Sequence, residues 1–220
     1  MKISTLTEPT LVLSQDYELF FHKSGSIENC LLQPCEALRE FARRMGLSIT
    51  YYVDAGMLVR MRDYEASSPE VSSMRSQIRR HVESLAAEGH EIGLHVHPHW
   101  QSTRWTGKDW DFSGTRYSPA QFRRSELVEI FETYANELTD VAGQRPTSYR
   151  AGGFCIEPFD RVGEALRAVG IQTDSSVVPG MRLNDRDKRY NFRTTPNAPW
   201  WYFDDEPTVS SRAGRFLEVP

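Results

Sequence analysis

Three histidines lie at positions 95, 97 and 99, directly after an apolar run that predicts a β-strand. Neutral imidazole binds first-row divalent metals, and a catalytic zinc site uses three protein ligands plus an open position for water. Pro98 cannot donate to a sheet, so we expect the strand to end near Val96 or His97 and the chain to turn. His95 and His99 would then converge on one point, whereas His97 would face away and support the ligands or pack. The alternative is three ordinary polar residues at a strand end.

Other residues that could take part in catalysis or metal binding follow the remaining predicted strands. Asp16 and Glu18 come after the first apolar run, Arg150 closes a later run, and Asp174 lies late in the next one. Carboxylates suit general-base work and metal ligation, and an arginine suits holding a carboxylate. The alternatives are a solvated turn for Asp16 and Glu18 and a structural salt bridge for Arg150.

The elements that must position these residues alternate between strands and helices. Apolar runs and turn residues predict strands at 11–13, 47–53, 91–96, 147–150, 171–177 and 215–219, and helices at 34–45, 74–87, 119–141 and 158–169. Repeated strand–helix units imply parallel strands joined by right-handed crossovers, in either an open sheet or a closed barrel. Both architectures bind ligands beyond the carboxyl ends of the strands, where these polar residues fall.

Composition predicts a globular protein with one substantial core. The chain has 220 residues, of which 39% are hydrophobic, and a net charge of −4, which argues against a nucleic-acid partner. No apolar run approaches the roughly 18 residues of a membrane span, and the first residues lack the apolar core of a signal peptide. The three cysteines are an odd number, so we expect free thiols rather than a disulfide framework. We therefore expect a single cytoplasmic domain over 1–220, with its oligomeric state open.

Four segments, in this order, resemble the motifs of the polysaccharide deacetylases, carbohydrate esterase family 4. They are 14–18 (Ser-Gln-Asp-Tyr-Glu), 95–99 (His-Val-His-Pro-His), 149–153 (Tyr-Arg-Ala-Gly-Gly) and 217–220 (Leu-Glu-Val-Pro). Each motif is weak alone, and their order and spacing carry the resemblance, which spans residues 11 to 220. It implies an α/β fold, a distorted (β/α) barrel, that hydrolyses N- or O-acetyl groups on sugars with a divalent metal, often zinc.

The resemblance also implies roles for single residues. Asp16 matches the catalytic base and Glu18 the carboxylate metal ligand, although Asp-x-Glu stands where adjacent aspartates are the commoner pattern. His95 and His99 match the two metal histidines, and Arg150 matches the arginine that orients the base, here expected as a bidentate pair. Water activated by the metal would attack the acetyl group, and Asp16 would take the proton from that water.

Substrate contacts are expected from Trp100, which follows the third histidine, and from Gly152 and Gly153. Aromatic faces stack on sugar rings, although packing explains most loop tryptophans. The aromatic residues in or beside the two predicted long loops, 100–118 and 179–207, are Trp100, Trp105, Trp110, Tyr117, Trp200 and Trp201. The second loop also carries a basic run, Arg182, Arg186, Lys188 and Arg189, which would meet an acidic sugar or a phosphate, or form a solvated loop face.

The family's late histidine, which protonates the leaving amine, has no counterpart, because no histidine follows His99. We therefore expect a barrel that is incomplete at its C-terminus, or another acid, or an inactive protein. Three functions stay open. The favoured one is a metal-dependent deacetylase of an N-acetylated sugar or polysaccharide, with zinc as the expected divalent metal. The others are a metal-dependent hydrolase of a small cyclic amide and a non-catalytic carbohydrate-binding relative.

Overall fold

The computed structural model describes residues 11–19, 26–186 and 188–220. The strands are β1 (Ser14–Tyr17), β2 (Thr50–Asp54), β3 (Glu91–Val96), β4 (Arg104–Trp105), β5 (Trp110–Asp111), β6 (Ser148–Ala151), β7 (Thr173–Asp174), β8 (Arg182–Asn184), β9 (Arg189–Asn191), β10 (Trp201–Phe203) and β11 (Phe216–Glu218). The helices are α1 (Gln33–Met45), α2 (Ala55–Tyr64), α3 (Pro69–Ala87), α4 (Arg124–Ala142) and α5 (Phe159–Val169).

Seven of these strands form one sheet in the order β1-β2-β3-β6-β7-β11-β10. Every neighbouring pair is parallel except β10 and β11, which are antiparallel. The predicted α/β class with a mostly parallel sheet is therefore confirmed. Among the described residues β1 and β10 lie at the two edges of the sheet, so closure into a distorted barrel stays a prediction. The pairs β4–β5 and β8–β9 form separate hairpins within the two long loops.

The parallel register sorts the side chains of this sheet onto two faces. Asp54 pairs with His95, and His95 pairs with Arg150, so the three side chains share one face. The residues between them point the other way, where α2, α3 and α4 contact β3. The buried residues of that outer face are Tyr17, Tyr51, Val53, Ile92, Leu94, Val96, Tyr149 and Ala151. The inner face of β2, β3 and β6 thereby carries Asp54, His95 and Arg150.

Two elements differ from the sequence-based prediction. The first strand lies at Ser14–Tyr17 rather than at 11–13, because Ser14 and Asp16 occupy the polar inner face and do not interrupt the strand. Helix α2 was not predicted at all. Five of its ten positions are buried, and four of these, Ala55 to Leu58, are consecutive, so the helix lacks the spacing of three and four that marks an amphipathic surface helix.

The predicted helix ends at Gly46 and Gly170 are confirmed. Both glycines adopt the left-handed conformation, with φ of 65° and 83°, and cap α1 and α5. The helix predicted over 119–141 begins later than predicted. Pro119–Gln121 forms a separate 3-10 turn, and α4 begins at Arg124. None of the helices in the described ranges is both long and apolar enough to cross a membrane.

A test of the inner-face packing is Gly93→Ala. A Cβ atom at this position would lie 2.7 Å from the Tyr52 ring and 2.8 Å from the Ser148 hydroxyl oxygen, both of which are buried. We expect the substitution to lower the free energy of unfolding by about 1–3 kcal/mol, the usual range for overpacking a core, as measured by urea denaturation.

The matched control is Ser148→Ala, which removes one of the two crowded neighbours. Its hydroxyl has no hydrogen-bond partner in the described structure, so this variant should be nearly neutral alone and should restore part of the loss in the double variant with Gly93→Ala. Strictly additive effects of the two substitutions would contradict the packing described here.

Candidate metal centre and active site

Three side chains from the ends of β1 and β3 meet at the carboxyl edge of the sheet. They are Glu18, which follows β1, His95 at the end of β3, and His97 just beyond it. The Glu18 Oε2 atom lies 2.6 Å from His97 Nε2 and 3.4 Å from His95 Nε2, and the two Nε2 atoms are 3.1 Å apart. Two atoms that each lie about 2.0–2.1 Å from one tetrahedral ion are separated by roughly 3.3 Å. The donor types and the convergence of these three atoms therefore fit a divalent metal.

A backbone contact fixes which nitrogen of His95 faces the cluster. The Nδ1 atom lies 2.8 Å from the carbonyl oxygen of Arg150. A carbonyl oxygen only accepts, so Nδ1 carries the proton and donates it. In the neutral ring the Nε2 lone pair is then directed at Glu18 and His97. Metal-binding histidines commonly donate their other ring N–H in this way, which sets both tautomer and orientation.

The electrostatics of this cluster favour an ionised carboxylate. Burial alone would raise the pKa of Glu18, but hydrogen bonds from His95 and His97, together with their charges, outweigh it and hold that pKa well below its usual range. Burial likewise works to lower the pKa of His95, and the contact with Glu18 reverses the shift and raises it. The side chains of both histidines are almost fully buried. The Glu18 carboxylate is thus held in its ionised form, the form in which a carboxylate binds a cation.

The structure brings His97 into the cluster, where the sequence-based prediction had placed His99. Strand β3 ends at Val96, and His97 caps a 3-10 turn that begins at Pro98, so the alternation of faces stops before His97. The expectation that His97 faces away from His95 is therefore not met, since their ring centroids lie 4.8 Å apart.

His99 lies beside the cluster in an aromatic environment instead. Its ring stacks on Tyr117, with centroids 5.7 Å apart and planes 9° apart, and it contacts Phe112 and Trp100 edge-on or tilted. Burial lowers the pKa of His99 to about 2, so the ring is neutral at physiological pH. His99 is not part of the three-residue group that the described structure forms. Its predicted role as a ligand stays a prediction that the geometry does not support.

Asp16 and Arg150 form the predicted ion pair, with a different geometry. The Arg150 Nη1 group donates to Asp16 Oδ1 at 2.8 Å, while Nη2 donates to the hydroxyls of Ser14 and Ser175 and Nε donates to the Ser175 carbonyl. The guanidinium carbon also lies 4.2 Å from the centre of the Tyr52 ring. The ion pair therefore contains one hydrogen bond and is not bidentate, because the other donors of the guanidinium bind Ser14 and Ser175.

Trp100 is buried rather than open to a ligand. It is 1% exposed, and its Nε1 group donates to Asp54 Oδ2 at 2.5 Å. The indole therefore holds a carboxylate in place, and the structure does not offer it as a stacking surface for a sugar. Asp54 was missed from the sequence, although its position as a charged residue ending the apolar run Tyr51-Tyr52-Val53 was a usable signal.

Gly152 and Gly153 contact the site, where the absence of a side chain leaves space for the rings of His97 and Tyr117. A Cβ atom at Gly152 would lie 2.6 Å from His97 Nδ1, and one at Gly153 would meet the hydroxyl of Tyr117. Gly153 also has a φ of 56°, which favours glycine. The two positions therefore allow His97 and Tyr117 to approach the backbone after β6. Contact with a substrate stays a prediction for both.

A second buried group lies between β7 and β11. Asp174 of β7 pairs in register with Glu218 of β11, both residues are 0% exposed, and one carboxyl oxygen of each, Asp174 Oδ2 and Glu218 Oε2, is buried without a hydrogen-bond partner among the described residues. Two buried carboxyl groups on paired strands disfavour each other's ionised form, so we expect the pair to retain a proton. Burial raises the pKa of both groups, and the charge of Asp174 adds to the rise at Glu218. Asp174 also accepts from Ser176, whose neighbour Ser175 holds Arg150.

A cavity of about 650 Å³ opens beside the cluster. His99, Phe112 and Tyr117 line its inner side, and Arg116, Arg186 and Lys188 contribute positive charge. The Lys188 ammonium lies 4.6 Å from the centre of the Tyr117 ring, a distance typical of a cation–π contact. A cavity of this size is within the range of small-molecule sites.

Comparisons with known proteins support the fold. No protein-family model and no curated protein matches this sequence. A candidate polysaccharide deacetylase from Mycobacterium smegmatis matches 95% of this chain and 57% of its own length, with 14% identity and a TM-score of 0.51. A polysaccharide deacetylase from Bacillus cereus, Bc1974, matches 76% of this chain and 59% of its own length, with 14% identity and a TM-score of 0.42. An allantoinase matches 84% of this chain and 42% of its own length, with 12% identity and a TM-score of 0.47.

The chain therefore spans little more than half the length of the first of these structures. At this identity the likeness concerns the fold, and it agrees with the resemblance that the four sequence motifs show. The chain has the α/β fold that a solved candidate polysaccharide deacetylase has.

The carboxyl pair predicts a pH-dependent stability. In the unfolded chain both groups lose their protons near pH 4, whereas in the folded protein the raised pKa values keep a proton bound. The pair therefore lowers the free energy of unfolding as pH rises above about 4, by up to about 1.4 kcal/mol per pH unit for each retained proton. Glu218→Gln removes this term, so its stability should fall less than that of the wild type between pH 4.5 and 7.5, as measured by urea denaturation.

The control is Glu83→Gln, at an exposed position of α3, which should keep the wild-type dependence on pH. Equal pH dependence in the wild type and in Glu218→Gln would show that the two carboxyl groups do not share a proton.

Proposed function

We propose that the protein is a metal-dependent hydrolase that removes acetyl groups from an N-acetylated sugar or polysaccharide. The observation that carries the proposal is the placement of two groups at one edge of the sheet. Glu18, His95 and His97 present three convergent donor atoms, and Asp16 lies two residues before Glu18, held by Arg150. The charge of Asp16 contributes to the raised pKa of His95, so the two groups are within electrostatic reach of each other.

In this proposal Glu18, His95 and His97 hold a divalent ion, with zinc as the first candidate. Such an ion polarises a carbonyl oxygen and makes water a nucleophile at neutral pH. Asp16 accepts the proton of the attacking water through the carboxylate oxygen that Arg150 does not occupy. Arg150 acts as a positioning residue, because four hydrogen bonds and the Tyr52 ring leave it a single orientation.

The cavity beside the cluster supplies room for the sugar. Tyr117 and Phe112 offer apolar ring surface, and His99 separates the cavity from the metal ligands. Because the pKa of His99 is far below 7, its ring is an uncharged wall at the pH of an enzyme assay.

Acetate release tests the reaction. The purified protein, loaded with zinc, should release acetate from an N-acetylglucosamine oligosaccharide, and treatment with a chelator should abolish the release. Turnover of a cyclic amide such as a hydantoin without acetate release would instead favour the cyclic-amide alternative. Tight metal binding without turnover of either substrate would favour a non-catalytic carbohydrate-binding protein.

The choice of ligands can be tested by metal content. His95→Ala and His97→Ala should each lose bound zinc, because each removes one of the three convergent donor atoms. His99→Ala should keep near-stoichiometric zinc and lose at most the ~10–100-fold in affinity that is typical of a neighbour that only orients a ligand. The measurement is zinc per protein after dialysis, by inductively coupled plasma mass spectrometry. Loss of zinc in His99→Ala with retention in His97→Ala would restore the set predicted from the sequence.

The role of Asp16 can be separated from that of the ligands. Asp16→Asn should keep its zinc and lose about 10²–10⁴-fold in kcat for acetate release, the usual range for loss of a general base. Arg150→Lys is the companion variant, since it keeps the charge but cannot make the four hydrogen bonds of the guanidinium. It should also retain zinc and lose rate. Departure of the metal from Asp16→Asn would make Asp16 a ligand and would refute the assignment.

A further inference from the structure

The structure divides the basic run of the second long loop into two parts. Arg182 and Arg189 lie on the strands of the β8–β9 hairpin, where both are exposed and neither lines the cavity beside the metal centre. Arg186 and Lys188 lie in the turn between these strands, and both line that cavity. A solvated loop face therefore accounts for the first two cations and not for the second two.

Lys188 is half-buried against the wall of the cavity. Its ammonium lies 4.6 Å from the centre of the Tyr117 ring, and its charge adds to the effect of burial in lowering the pKa of His99. Both rings line the cavity, so the ammonium lies at the same wall. A ring face attracts a cation but accepts no conventional hydrogen bond, so the three N–H donors of the ammonium remain available to an anion.

The cavity lining keeps an excess of positive charge. Among the described residues no carboxylate forms an ion pair with the side chain of Arg186 or of Lys188. Asp185 is the one carboxylate of the lining, and it accepts from the backbone N–H of Arg186. Arg116, the third cation of the lining, is already paired with Glu126.

This cavity is separated from the proposed metal ligands by single aromatic rings. His99 and Tyr117 line it, and their ring centroids lie 5.1 Å and 5.6 Å from that of His97. A ligand in the cavity and an ion bound to His97 would therefore be neighbours across one ring. The volume of about 650 Å³ is within the range of small-molecule sites.

We propose that Lys188 and Arg186 bind an anionic group of the substrate in this cavity, either a carboxylate or a phosphate. The inference rests on the proposed function and narrows its substrate class to acetylated sugars that carry a negative charge. The planar guanidinium of Arg186 matches two oxygens of either group, and the ammonium of Lys188 supplies a point charge. Because both cations are open to solvent, added salt should weaken the binding.

The test measures binding and needs no turnover. Calorimetry on the zinc-loaded protein compares neutral glucose with glucuronate and glucose 6-phosphate, none of which has an acetyl group to lose. At least one anionic sugar should bind about 10-fold or more tightly than glucose, since a hydrogen bond to a charged group contributes about 1.5–3 kcal/mol. The stronger of the two anionic sugars identifies carboxylate or phosphate as the preferred group.

Charge variants show where the anion binds. Lys188→Gln and Arg186→Gln should each weaken binding of the preferred anionic sugar by about 10-fold and leave that of glucose unchanged. The matched control is Arg189→Gln, which removes the same charge from the same hairpin at an exposed position outside the cavity lining, and it should leave every affinity unchanged.

Three results would overturn the inference. They are equal affinities for glucose and both anionic sugars, unchanged affinities in Lys188→Gln and Arg186→Gln, and an equal loss in Arg189→Gln, which would assign the attraction to the charge of the whole hairpin. Acetate release by a protein that does not favour anionic sugars would refute this inference alone. Charge-dependent binding of an anionic sugar without acetate release from any acetylated sugar would refute the proposed function alone.

Discussion

The arrangement depends on one constraint, namely that polar groups on the inner face of a parallel sheet must find partners away from water. Burial without a partner is costly, so every carboxylate, imidazole and guanidinium there must be satisfied by a neighbour. Arg150 of β6 shows how such a group finds partners. Its guanidinium donates to Asp16 and Ser14 of β1 and to Ser175, which follows β7. The carbonyl of the same residue accepts from His95. One residue thus links the candidate base to the candidate metal ligands.

The outer face makes this concentration of polar groups possible. Its aromatic and aliphatic side chains form a continuous buried core with the helices, which supplies the favourable apolar burial. Two glycines leave room for the large side chains of the inner face. Gly93 leaves space for Tyr52, on whose ring Arg150 lies, and Gly152 leaves space for His97. Small residues at these positions are therefore what allows large polar side chains to meet.

Much of this arrangement could be predicted from the sequence, and the predictions that were wrong or missing have physical causes. Strand β3 and the convergence of Glu18 and His95 followed from hydrophobic pattern and from the rule that parallel strands end at one edge. The choice between His97 and His99 did not follow, because it depends on the turn at Pro98, where the alternation of a strand no longer applies. Asp54 was missed because a charged residue at the end of an apolar run looks like the start of a solvated loop. Only the register with His95 shows that it is buried.

The charges of the buried carboxylates on the inner face bear on whether the proposed site holds a cation. Asp16 is paired with Arg150, which leaves the carboxyl groups of Glu18 and Asp54 to interact with the two imidazoles of His95 and His97. Protein groups alone can neutralise these two carboxylates only by binding protons, either on the imidazoles or on the carboxylates themselves. A divalent ion achieves the same neutrality through the oxygen and nitrogen lone pairs, and protons compete with it for them. A divalent ion at the proposed site would therefore satisfy the Glu18 carboxylate and the lone pairs of both imidazoles with a single charge partner.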